Sequence, residues 1–79
     1  MEITFNISQK YWSDSFIDSL ANVESFNKLC GEVNTGAKGI SSSSCNIPRN
    51  RFAFHQADKA KVIVEKRQRR GYIQIAFIF

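Results

Sequence analysis

At 79 residues the chain has room for one domain, residues 1–79, near the lower limit for a self-sufficient hydrophobic core. Its seven Phe, two Tyr and one Trp exclude disorder of the whole, because that much aromatic surface would otherwise stay wet. The net charge of +4 is modest, but its uneven spread is informative.

Residues 1–35 hold Glu2, Asp14, Asp18, Glu24 and Glu32 against Lys10 and Lys28. Residues 36–79 hold Lys38, Arg49, Arg51, Lys59, Lys61, Lys66, Arg67, Arg69 and Arg70 against Asp58 and Glu65. An acidic first half and a basic second half point to an anionic partner, or to an acidic patch on a protein. Such charge also keeps a small protein soluble, a role that needs no partner. The opening Met1-Glu2-Ile3 lacks the basic and apolar regions of a signal peptide, and no apolar run nears the roughly 20 residues that span a bilayer. A cytoplasmic, reducing environment is therefore expected, with no membrane contact and with Cys30 and Cys45 as free thiols.

Ile3, Phe5 and Ile7 alternate with Thr4, Asn6 and Ser8, the period-two pattern of a half-buried strand. From about Tyr11 the period lengthens. Trp12, Phe16, Leu20, Val23, Phe26 and Cys30 recur at helical spacing and form one apolar stripe at about 100° per residue. That stripe predicts one long helix, capped at Ser8 or Ser13 and stopped by Gly31, with a break near Asn22 into two shorter helices as the alternative. Asp14 and Asp18 favour the positive end of the helix dipole, which accounts for much of the acidic first half without a partner. Residues 32–50 read as a long flexible connection containing Gly36, Gly39 and serines at 41–44, with Pro48 at its end. Ile40 and Ile47 offer anchors to the core, or a short edge strand.

Phe52 and Phe54 then alternate with Arg51, Ala53 and His55, which predicts a strand over residues 51–56. The strongest pattern comes last. Val62 and Val64, then Ile73, Ile75, Phe77 and Phe79, flank Lys66-Arg67-Gln68-Arg69-Arg70-Gly71 in the alternation of an antiparallel hairpin. Pairing Val64 with Ile73 and Val62 with Ile75 keeps all four on one face and leaves residues 67–70 as a basic tip held out in solvent. The expected fold is α+β: one long helix packed on a mostly antiparallel sheet of about four strands, in the order β-α-loop-β-β-β. The helix stripe would cover Phe52, Phe54, Val62, Val64, Ile73, Ile75 and Phe77. The opposite face would carry Arg51, His55, Lys61, Ile63, Tyr72, Gln74 and Ala76.

Two strings come close to known motifs. The run from Gly31 through Gly36 to Ala37-Lys38-Gly39 nearly spells a phosphate-binding loop. Ala37 separates the glycine from its lysine, however, and Gly39 replaces the hydroxyl that would bind magnesium, so that reading is rejected. Arg70-Gly71-Tyr72-Ile73-Gln74-Ile75-Ala76-Phe77 partly resembles the RNP1 string of RNA-recognition motifs at Arg70, Gly71, Tyr72 and Phe77. Ile73 and Gln74 depart from it, as does its place in the order of elements, and no family assignment follows.

Catalysis finds little support. His55 is the only histidine, and Cys30 and Cys45 lack the paired spacing of a zinc site. No catalytic residue, metal ligand or cofactor is expected. Charge carries the functional expectation instead, with Arg51, Lys59, Lys61, Lys66, Arg67, Arg69 and Arg70 as phosphate contacts and Tyr72 placed to stack on a base. These describe a small non-catalytic binding protein that presents a basic hairpin to nucleic acid or to a nucleoprotein complex. The alternative is a protein-targeted inhibitor, such as a phage-type anti-defence (anti-restriction or anti-CRISPR) factor directed at a host protein. A third reading is a homodimer in which the apolar terminal strand, residues 72–79, pairs with its copy.

Overall fold

The computed structural model describes residues 2–11, 13–20, 22–36, 39–42 and 47–79, with the backbone alone at 47–50. Trp12, Lys38, Cys45 and the serines at 43 and 44 lie outside the described residues, as does the side chain of Arg49. Strand β1 (Glu2–Ser8) leads through a 3-10 turn (Gln9–Tyr11) into helices α1 (Asp14–Ser19) and α2 (Ser25–Asn34). A short strand β2 (Ile40–Ser42) and helix α3 (Ile47–Gln56) follow. A second 3-10 turn (Lys59–Lys61) then enters the hairpin of β3 (Ile63–Arg69) and β4 (Tyr72–Ile78). The strands form one antiparallel sheet in the order β2-β1-β4-β3. The fold is α+β, with a few helices where the apolar stripe suggested one.

The break falls near Asn22 for a reason visible in its hydrogen bonds. Ser25 Oγ shares its one proton between the carbonyls of Leu20 at 2.8 Å and Asn22 at 2.6 Å, and Asn22 Oδ1 accepts from the Ser25 N–H at 3.1 Å. Short polar side chains thereby satisfy backbone groups that a continuous helix would have paired. At the front, Ser13 is the N-cap, its Oγ accepting from the Phe16 N–H at 3.2 Å. Gly31 does not stop the chain; it lies inside α2. The stop is Gly36, whose φ of +76° suits the left-handed position past a helix end and whose N–H donates to the Val33 carbonyl at 3.1 Å.

Alternation on β1 and β4 builds the floor of the core. Ile3, Phe5 and Ile7 stand opposite Phe77, Ile75 and Ile73, and all six are buried. Phe26 of α2 is the hub above them. It stacks on Phe54 at 4.1 Å between centroids and meets Phe77 and Phe5 edge-on at 5.1 and 5.6 Å. Such contacts add about 0.5–1.5 kcal/mol per pair beyond area burial, which matters in so short a chain.

Residues 51–56 are not a strand. They are the second half of α3, and Pro48 sits in its first turn, where a missing N–H costs nothing. Two residues along a helix turn the side chain through about 200°, so the two phenylalanines part company. Phe54 is 1 % exposed against Phe26, whereas Phe52, expected beside it, is 67 % exposed. The expected three-strand meander is therefore a hairpin, and β1 rather than residues 51–56 supplies its third strand.

That topology puts β4 inside the sheet, paired along Tyr72–Ile78 with β1 on one side and β3 on the other. A homodimer through residues 72–79 has no free edge to use. The edges belong to β2 and β3. Among the described residues no helix is long and apolar enough to cross a membrane.

Candidate functional site

The hairpin is tighter than the alternation suggested. Val64 pairs with Phe77, Lys66 with Ile75, Gln68 with Ile73 and Arg69 with Tyr72. The expected pairs, Val64 with Ile73 and Val62 with Ile75, do not form. Only Arg70 and Gly71 make the turn, and the φ of +84° at Gly71 fits the second central position of a type II turn. Arg67 and Arg69 therefore belong to β3, not to a loop. Nor does the tip project: Tyr72 pairs with Ser8 of β1, and the Gly71 carbonyl accepts from the Gln9 N–H at 3.3 Å. The expected basic tip held out in solvent is replaced by the corner of a sheet.

Strand alternation sorts the side chains. Ile63, Glu65, Arg67 and Arg69 share the outer face, turned away from the aromatic core, with Tyr72, Gln74, Ala76 and Ile78 of β4 and Glu2, Thr4, Asn6 and Ser8 of β1. Lys66 and Gln68 point to the opposite side, where both are exposed beyond the cover of the helices.

On the outer face Arg67 is held by the protein's own acids. Its Nε and Nη2 lie 2.9 and 2.8 Å from Glu65 Oε2, and Nη1 donates to Glu2 Oε1 at 2.6 Å and to Gln74 Oε1 at 3.3 Å. Gln74 Nε2 passes the chain on to Asn6 Oδ1 at 3.2 Å. Those bonds, Glu65's first and Glu2's next, hold the guanidinium more firmly protonated than a free arginine. In reaching Glu2 from its own row the arm crosses the row of Ala76, which is fully buried although it faces away from the core. Arg67 was expected to be a free contact, and it is a clamp between β3 and β1.

Arg69 and Arg70 differ. Both are exposed, and among the described residues neither side chain has an ion-pair or hydrogen-bond partner. Arg69 stands directly across from half-buried Tyr72, and Tyr72 across from Ser8, so the three form one row at the turn end of the outer face. Lys10 follows Gln9 in the tethered 3-10 turn and brings an exposed cation from the acidic half of the sequence to the same end.

The other expected contacts lie elsewhere. Lys59 Nζ sits 5.5 Å from the Phe54 ring centroid, and Lys61 faces Asp58 at a loose 3.9 Å. Phe54 packs against Phe77 and Phe79. Phe77 is five residues along β4 from Tyr72, or about 17 Å at 3.4 Å per residue. Arg51, on α3, is near enough to Cys30 to oppose the burial that pushes this thiol up to about 11. Cys30 is thus a buried core residue in which burial favours the thiol over the thiolate. The eight expected contacts do not form one patch: Arg69, Arg70 and Tyr72 are at the turn, Arg67 and Lys66 on opposite faces of β3, Lys59 and Lys61 at the far end of the hairpin, and Arg51 on α3.

Sequence reasoning missed Glu2, Gln74, Asn6 and Lys10. Glu2 and Lys10 reach the site only through the pairing of β1, which leaves no local trace; Glu65, two residues from Arg67 on a strand, was the one legible sign of a clamp. Among the described residues there is neither a pocket nor a group of three or more His, Cys, Asp or Glu side chains able to hold a metal. Comparison with protein-family models, characterised proteins and solved structures gives no match.

Proposed function

We propose that this is a small non-catalytic binding protein that contacts nucleic acid, or a nucleoprotein complex, through the Arg69–Arg70 corner of the β3–β4 hairpin. One contrast carries the reading. Arg67 is neutralised by Glu2 and Glu65, whereas Arg69 and Arg70 are exposed with no acid paired to them among the described residues. Their backbone is already ordered by β4 and by the Gln9–Gly71 bond, so little backbone entropy is lost when they meet phosphates. Fluorescence anisotropy with labelled DNA and RNA oligonucleotides tests it. Log affinity should fall linearly with log salt between about 50 and 200 mM. Absence of binding at the low end, or a flat salt response, contradicts the proposal.

A second reading, a protein-targeted inhibitor of a host or defence protein, is favoured by β3 itself. It is an edge strand with Ile63 57 % exposed, and it offers backbone pairing to another chain. Capture from lysate with and without nuclease separates the two: a partner retained after nuclease supports the inhibitor. Either role suits a cytoplasmic protein.

A further inference from the structure

Resting on the nucleic-acid reading, we propose that the ligand is single-stranded. It lies on the outer sheet face at the turn end, with one base stacked on Tyr72 and the neighbouring phosphates on Arg69 and Arg70.

Duplex recognition in the major groove calls for an α-helix or a two-stranded ribbon that can enter the groove. Here the ribbon is not free. β1 flanks β4 from Glu2 to Ser8, opposite Ile78 to Tyr72, and the turn is tied to Gln9. What the hairpin offers is a surface, and a surface suits unpaired bases, whose faces are open to stacking on aromatic rings. Tyr72 is the aromatic residue of β4 on that face, on an interior strand whose backbone is pinned from both sides. Its cross-strand neighbours are Arg69 and Ser8, a cation and a hydroxyl, both of which can contact the backbone of the same strand.

The next row strengthens the placement. Arg67, Gln74, Asn6 and Ser41 follow one another across β3, β4, β1 and β2. Gln74 is fixed between Arg67 and Asn6, so its amide is already oriented beside the base that Tyr72 would hold. Further along the face, Glu2 and Glu65 offset Arg67 and would repel a continuing chain of phosphates. Among the described residues of this face, positive charge without a paired acid is thus confined to the turn end. The footprint is short, and Arg69 and Arg70 together account for about 1.4 of the log–log salt slope, at 0.7 per phosphate for a single strand.

The test compares one labelled oligonucleotide as a single strand and as a duplex, on the wild-type protein and on Tyr72→Thr and Tyr72→Phe. Threonine keeps the strand propensity and removes the ring; phenylalanine keeps the ring. The single strand should bind more tightly than the duplex. Tyr72→Thr should weaken it by about tenfold or more, and Tyr72→Phe should bind like the wild type. Equal or tighter binding of the duplex by the wild type overturns the inference and needs no variant; sensitivity to Arg51→Ala would then point to α3 as the groove element. A Tyr72→Thr protein that melts like the wild type and binds the single strand equally well also overturns it, with the nucleic-acid function intact. Failure to bind either form, at low salt, overturns the functional proposal and this inference with it.

Discussion

Arg67 and Arg69 lie two residues apart on one strand and share one face, yet they belong to different regions of the molecule. Around Arg67 the sheet is closed on itself: Glu65, Glu2 and Gln74 take up its donors, and Gln74 donates in turn to Asn6, so the chain crosses three strands. At the turn end the same face has an aromatic ring, a serine and Arg69, with Arg70 in the adjoining turn, and among the described residues neither arginine has a paired acid. The composition of β3 does not separate these regions. The neighbours that other strands bring do. On the reading proposed above, the contacts for a partner are the arginines that the fold leaves without an acid of their own.

That contrast can be broken by substitution. The largest effect falls on binding: Arg69→Ala with Arg70→Ala should weaken oligonucleotide affinity on the order of tenfold or more at low salt, measured by anisotropy. The same double variant should leave the melting temperature nearly unchanged, because exposed, unpartnered side chains carry little stability, within about 0.5 kcal/mol. Gly71→Ala comes next. A Cβ there meets nothing within 4 Å, so its cost is purely that of the left-handed φ of +84°, about 1–2 kcal/mol. Urea melts should register that loss, and binding should weaken with it because the corner is re-aimed.

Arg67→Ala is the mirror experiment. Its ion pairs are partly open to solvent, with the Arg67 side chain 27 % and the Glu2 side chain 42 % exposed. Its loss should therefore lower stability only slightly in urea melts, and by less as salt is raised. The effect of Cys30 shows only at alkaline pH. Burial favours the neutral thiol, so its contribution is whole below its ordinary value of 9.0 and is lost as pH rises toward about 11. Comparing urea melts of wild type and Cys30→Ala at about pH 8 and about pH 10 should show the wild type losing more stability over that interval.

The alternating strands were legible because one face of each is buried. Ile3, Phe5 and Ile7 write β1 plainly, and Ile73, Ile75 and Phe77 write β4. The hairpin's register was not. Moving the pairing by an even number of residues returns every valine and isoleucine to the same face, so alternation cannot choose between Val64 opposite Ile73 and Val64 opposite Phe77. Gly71 chooses, by making the turn immediately before Tyr72. Residues 51–56 misled because Phe-Ala-Phe is too short to separate a period of two from a helical one; the packing of Phe54 on Phe26 settles it. Half of the site was legible in the cluster of arginines. The clamp was not, since Glu2 and Arg67 are 65 positions apart and meet only when β1 takes its place beside β4.

The most direct test is the slope of log affinity against log salt for Arg67→Ala and for Arg69→Ala with Arg70→Ala, measured side by side on one single-stranded oligonucleotide. The account predicts that the double variant lowers the slope by about 1.4 while Arg67→Ala leaves it where the wild type has it. Equal losses from the two variants, or a loss from Arg67→Ala alone, would contradict the division of this hairpin into a clamp and a binding corner.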